Sequence, residues 1–291
     1  MNMRQLGFSR RSVTTAAALV GLVSLALGAH AALNKRALDA AKATEAAAIY
    51  GTEHKASRLA LVIGNGHYPD AGEPLSQPIN DARSMTGALR AEGFDVDVVE
   101  DATRDDMVRA VDRLKARIKP DSVVMLFFGG FGIQSGRESY MIPVDANIWK
   151  ERDVRRNGLS VESVLGAMKE RGAQVKLAII DASRRNPYER RFRSFSHGLA
   201  PINPPDNALV LSSATPGKVA DDAEGQNSLL VTELLKSIES PAVSAEAAFT
   251  KTRSAVSQAS DGRQVPAVSS SLVDDVALGA PVASAVPKAG G

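Results

Sequence analysis

Asp181, Ser183 and the basic pair Arg184-Arg185 close an apolar run, Leu177–Ile180, inside the stretch VKLAIIDASRRNP of Val175–Pro187. A second apolar run, Val123–Phe128, breaks into Gly129-Gly130-Phe131-Gly132. Runs of this kind bounded by turn residues predict buried parallel strands. Their carboxyl ends are where open α/β sheets hold ligands and chemistry. Two such tips therefore define a candidate site, and the side chains on them decide what it can do. A carboxylate there can hold a cation, and a serine hydroxyl can attack a carbonyl only with a base beside it. The chain has no cysteine, which removes thiol catalysis, disulfides and cysteine-based metal sites together. No G-x-S-x-G turn surrounds Ser183, which argues against an α/β-hydrolase nucleophile.

The elements that position these tips can be read in order. Arg58–Ile63 is a first strand, ending in Gly64-Asn65-Gly66-His67-Tyr68. Asn80 is the expected cap of a helix with Ala82, Met85 and Leu89 on one face, stopped by Gly93. Phe94–Val99 alternates as a strand, and Thr103-Arg104-Asp105-Asp106 resembles a capping box before a helix carrying Met107, Val111, Leu114 and Ile118. Tyr140–Pro143 is a short strand or hairpin arm, and Ser160 caps a helix with Val161, Val164, Leu165 and Met168. Glu189–Asp206 is a long polar, basic loop, longer than usual connections and so functional or mobile. Ala208–Ser213 is a further buried strand; Ser228–Ile238 and Ala245–Ala259 are amphipathic helices, and Leu272–Leu278 is the expected edge strand. This order predicts one three-layer α/β domain.

Met1–Ala31 reads as an export signal: Arg4, Arg10 and Arg11 precede the mostly apolar Val13–Gly28, and Ala29-His30-Ala31 offers a small-x-small cleavage site. The apolar run falls short of the roughly 18 residues of a membrane span. Ser9-Arg10-Arg11-Ser12-Val13 also resembles a twin-arginine signal, with Val13-Thr14 where Phe-Leu is usual. The expected location is the bacterial periplasm. Residues 32–57 form an alanine-rich tether, 58–279 the domain and 280–291 a tail expected to be disordered. The signal holds three arginines and no acids, against 35 basic and 33 acidic residues in all. The remainder is marginally acidic, so net charge gives no support for a nucleic-acid partner.

With these residues in place, the chain resembles the caspase-like peptidases, particularly the bacterial metacaspase-type proteins. The matching pieces are RLALVIGNGHY, Asn80-Asp81-Ala82 leading to GFDV at Gly93–Val96, SVVMLFFGGFG, YMIPVDA at Tyr140–Ala146, LAIIDASRRNP, the segment from SSATPGKVADD to GQNSLLVTELL, and GRQVPAVSSSL. The resemblance implies a three-layer α-β-α fold with a mostly parallel six-stranded sheet and helices on both faces. Two departures fall on the chemistry. The family's Gly-His-Gly turn is Gly130-Phe131-Gly132 here, and its Asp-Ala-Cys is Asp181-Ala182-Ser183. Phe131 can take no proton, so Ser183 is an unactivated alcohol unless another base reaches to about 3 Å. His30 leaves with the signal and His54 lies in the tether; His67 and His197 are the loop histidines that could substitute, His197 the better placed.

The implied function is binding or regulation by an exported, catalytically inactive pseudo-peptidase. The alternative is a caspase- or metacaspase-type endopeptidase using Ser183 with a relocated base. Family pocket acids correspond to Asp181, with Asp221 and Asp222 on the other wall, so a peptide or protein partner with basic segments is expected. Asp181 capping backbone amides in the turn, and Asp221-Asp222 as a solvated loop, remain the plainer readings. Arg184, Arg185, Arg190, Arg191 and Arg193 form a basic cluster that is either solvated or meets an acidic partner or phospholipid headgroups. No cofactor or metal is expected. Gly64-Asn65-Gly66 lacks the third glycine of a dinucleotide loop, where Pro69 stands. Thr215-Pro216-Gly217-Lys218 lacks the first glycine and the final Ser/Thr of a phosphate loop.

Overall fold

The computed structural model describes residues 56–70, 74–188, 198–220, 225–239, 243–273 and 276–278. The expected signal, tether residues 32–55, the tail, His30, His54, His197, Asp221, Asp222, Arg190, Arg191 and Arg193 lie outside the described residues. Six strands form the main sheet: β1 (Arg58–Gly64), β2 (Asp95–Glu100), β3 (Val123–Gly129), β7 (Val175–Asp181), β8 (Ala208–Ser212) and β9 (Ala267–Ser270). Their order is β2-β1-β3-β7-β8-β9, parallel throughout except for β9. A three-stranded antiparallel sheet, β4 (Gly132–Ser135), β5 (Glu138–Met141) and β6 (Leu159–Ser160), extends from the end of β3. The helices are α1 (Pro78–Ala91), α2 (Arg104–Arg117), α3 (Glu151–Asn157), α4 (Val161–Glu170), α5 (Leu229–Ile238) and α6 (Ala245–Ala259).

The period-2 alternation of the strands divides the core into two layers. Leu61, Leu126, Ala178 and Val210 are in register and pack with Met107 and Leu114 of α2 and Val164, Leu165 and Met168 of α4. Val62, Phe127, Ile179 and Leu211 point the other way, onto Ala82, Met85 and Leu89 of α1, Leu234 of α5 and Phe249 of α6. Every residue of β3 and β7 is buried, as a central parallel strand covered on both faces requires. The three-layer fold and the β1-β3-β7-β8 adjacency agree with the sequence reading. No helix among the described residues is long and apolar enough to cross a membrane.

Local signals account for most boundaries. Thr103 Oγ1 accepts from the Asp106 amide while Asp106 bonds back to the Thr103 amide, closing the capping box. Ser160 and Ser228 cap α4 and α5 with their hydroxyls. Four expectations need correction. Asn80 does not cap α1; Gln77 stands at the N-cap without a side-chain capping bond, because Pro78 fits the first helical position and needs no amide partner. Ile118 lies just past α2 as its C-cap rather than on its face. The edge strand is Ala267–Ser270 and not Leu272–Leu278, whose stretch makes one isolated bridge, Ser244 to Ala277, while Leu278 is buried in the core. Finally, α3 and β6 were not foreseen: α3 buries only Val154 and carries no apolar stripe.

Candidate functional site

The two tips meet as the strand pairing implies. Beyond the last paired residues, Gly129 and Asp181, the ladder continues: the Gly130 amide donates to the Asp181 carbonyl at 3.2 Å and the Gly132 amide to the Ala182 carbonyl at 2.9 Å. Both glycines are needed there. A Cβ on Gly130 would come within 2.6 Å of the Tyr68 hydroxyl, and one on Gly132 within 2.8 Å of the Ala182 backbone and Cβ. Only the residue between them has room for a side chain, and that residue is Phe131.

Phe131 is 7% exposed and belongs to an apolar cluster with Tyr68, Leu75, Ile133, Tyr140, Ile142, Ile148, Val154 and Tyr188. Its ring meets that of Tyr68 edge to face at 4.8 Å, a favourable aromatic geometry. The Tyr68 hydroxyl accepts from the Phe131 amide at 3.0 Å and donates to the Ile142 carbonyl at 2.9 Å. Burial holds its phenol well above the ordinary range, so Tyr68 stays a neutral donor and supplies no base.

Ser183 is fully buried. Its amide donates to Ser213 Oγ at 3.1 Å and its carbonyl accepts from Ala220 at 2.6 Å, but its Oγ has no hydrogen-bond partner among the described residues. One oxygen of the Asp181 carboxylate is equally bare, so that carboxylate is not bonded to the hydroxyl two residues on. His67 is committed elsewhere. Its Nδ1 lies 2.6 Å from Asp101 Oδ2, and Asp101 follows β2. Since β1 and β3 stand between β2 and β7, at roughly 4.8 Å per strand, that pair lies at the β1–β2 end of the sheet and not at the β7 tip. Among the described residues, nothing joins Ser183 to a base.

The β7 tip is also acidic. Alternation carries Asp181 onto the α1 face, beneath the first turn of that helix. There the structure brings in Asp81, a residue the sequence reading did not single out. Asp81 is fully buried; its Oδ1 accepts from Asn227 Nδ2 at 2.8 Å and the Ser228 amide at 2.9 Å, while its Oδ2 is bare. Burial, together with the charge of Asp181, pushes its pKa up to about 7 against the bonds from Asn227 and Ser228. Its signal was visible in the sequence: Asp81, Met85 and Leu89 are spaced i, i+4, i+8, which places an acid on the buried stripe.

Arg184 corrects the reading of a solvated basic cluster. It is 5% exposed, donates from Nη1 to the Gly130 carbonyl at 2.9 Å and to the Asp181 carbonyl, and stands 3.7 Å from Asp181 Oδ1. It thus ties the two tips together and opposes part of the acidic charge, whereas Arg185 is exposed. Among the described residues no backbone amide donates to the Asp181 carboxylate, and the Gly130 amide is taken by the Asp181 carbonyl. A surface groove of about 680 Å³ lined by Ser244, Glu246, Thr250, Lys251, Leu272 and Val273 shares no residue with these tips.

A doubly covered, mostly parallel sheet with its site on the β3 and β7 tips is the architecture of a caspase-type domain. The chain belongs to the caspase domain family of peptidase family C14, whose model matches residues 57–277. Its relatives include the mucosa-associated lymphoid tissue lymphoma translocation protein 1 of Homo sapiens and the homolog of that protein in Mus musculus. Each is 31% identical over 134 residues, covering 45% of this chain. The match spans only 16% of the length of either relative.

Proposed function

We propose that this chain is an exported caspase-domain protein that binds a basic peptide segment at the β3–β7 tips without cutting it. The single observation that carries this is the pairing of Phe131, locked in an aromatic cluster at the family's histidine position, with a buried Ser183 hydroxyl to which no base is bonded among the described residues. Removing one member of a nucleophile–base unit costs about as much as removing all of it, on the order of 10⁶ in rate in a serine protease. Here both members are replaced.

The binding half of the proposal rests on Asp81 and Asp181, which each hold a buried carboxylate oxygen without a hydrogen bond among the described residues, next to a guanidinium that offsets only part of their charge. Two buried acids, each with an oxygen left without a hydrogen bond, suit a planar donor such as arginine once the tip opens to admit it. Ionisation of Asp81 near pH 7 makes the pair more negative as pH rises. Affinity for an arginine peptide therefore increases from pH 6 to pH 8, by about tenfold for one added charge pair of roughly 1.4 kcal/mol. Titration of the full chain with an arginine peptide and its uncharged citrulline counterpart tests this. Preference for arginine that grows with pH and is lost in Asp181→Asn supports the reading; equal affinity for both peptides refutes it.

Export rests on Arg10-Arg11, the apolar run and Ala29-His30-Ala31. Protein purified from native cells should begin at Ala32. A chain still starting at Met1 contradicts that part.

A further inference from the structure

We propose that Trp149 and the arginines around it form a docking surface for an acidic segment of a partner protein, one carrying an apolar side chain among its carboxylates. This surface is separate from the Asp81–Asp181 pair.

The turn that carries Trp149 is held rigidly. Ile148 before it and Val154 after it are both fully buried in the cluster that holds Phe131. Asp153 Oδ2 accepts from the Trp149 amide at 3.1 Å and the Lys150 amide at 2.9 Å. A backbone fixed this firmly could have turned the ring onto the neighbouring cluster. Instead the only tryptophan of the chain is 58% exposed. A preorganised tryptophan among arginines is the composition of an interface hot spot.

The charge around the ring is unbalanced. Lys150, Arg152, Arg155 and Arg156 are all exposed, and Arg137 stands on the neighbouring β4–β5 turn. That turn is tied to α3 through Ser135, whose Oγ donates to Glu151 at 3.0 Å and accepts from Arg155 at 2.9 Å. The two acids of α3 are already engaged: Glu151 lies 3.7 Å from Arg155, and Asp153 takes the two backbone amides. Arg137, Arg152 and Arg156 make no ion pair among the described residues. The β2 edge shows the alternative arrangement, where Arg83, Arg113 and Arg117 each pair with an acid, Glu100, Asp97 and Asp95 respectively. Surplus cations around one aromatic anchor call for a complementary acidic segment. A lipid surface is the weaker match, because membrane-lying helices bury a broad apolar face, and here the other apolar residues of the turn already point into the core.

The lone tryptophan is its own reporter. The full chain should bind a short synthetic peptide of Asp and Glu around a central Leu-Leu pair, with a blue shift of Trp149 emission. The same peptide rebuilt with Lys in place of the acids should not bind. With a dye-labelled peptide, Trp149→Ala and the pair Arg152→Glu with Arg156→Glu should each weaken binding about tenfold or more, with unchanged thermal unfolding. Equal binding of the acidic and basic peptides, no binding of the acidic one at millimolar concentration, or retention of affinity in both variants overturns the proposal. So does an emission shift with phosphatidylglycerol vesicles but not with the peptide, which would assign the surface to a membrane. If a variant fails to fold, the acidic-against-basic comparison on the unmodified chain still decides.

Discussion

Two pairs of residues at the strand tips differ sharply. At Phe131 and Ser183, no proton-moving group is bonded among the described residues: a phenyl ring stands among aromatic neighbours, and a hydroxyl lies buried and unbonded. At Asp81 and Asp181, two carboxylates sit in the interior at electrostatic cost, burial and the neighbouring charge pushing the pKa of Asp81 up to about 7. Burying an acid beside another is unfavourable unless something compensates. The first pair has settled into core packing, while the second has kept its charge.

The largest expected effect breaks the packed pair. Phe131→Ala removes a buried ring and its edge-to-face contact with Tyr68, and should cost about 3 kcal/mol in chemical denaturation. A loss below about 1 kcal/mol would show that the ring is not core.

The next change sharpens the acidic pair. The folded pKa of Asp81 is raised to about 7 from an ordinary value of 3.8. Between those values the folded state holds a proton that the unfolded state has released. Stability therefore falls as pH rises through that window, and the penalty is complete above pH 7. Asp81→Asn keeps an oxygen for Asn227 and the Ser228 amide but carries no charge. It should stabilise the protein by on the order of 2 kcal/mol at pH 8 and by little at pH 4. Equal effects at both pH values would mean that Asp81 is not held in a raised state.

A smaller effect tests the packed pair again. Tyr68→Phe keeps the ring beside Phe131 but deletes the hydroxyl that links the Phe131 amide to the Ile142 carbonyl. Leaving these two groups unpaired should cost about 1–2 kcal/mol, with no change in the pH dependence that belongs to Asp81.

Much of this was legible in the sequence, for identifiable reasons. Leu59–Ile63, Val123–Phe128 and Leu177–Ile180 are buried on both faces, so their apolar runs survive as plain text. The Thr103 and Ser160 caps are local chemistry and could be read directly. Asp81 was passed over because its burial depends on the loop from β1 delivering the first turn of α1 onto the β7 tip. Arg184 looked like one of five solvated arginines; only the closeness of the Gly130 and Asp181 carbonyls turns it inward. The edge strand was misplaced because β9 pairs on one side alone and needs little apolar character, whereas the more apolar Leu272–Leu278 stretch sends Leu278 into the core instead.

The central claim is that this caspase-domain chain does not cleave peptides at Ser183. Its most direct test is cleavage of a peptide library, with Arg, Lys or Asp before the scissile bond, by the unmodified chain and by Ser183→Ala. The account predicts no cleavage above background by either protein. Cleavage by the unmodified chain that disappears in Ser183→Ala would reveal a working serine nucleophile and contradict it.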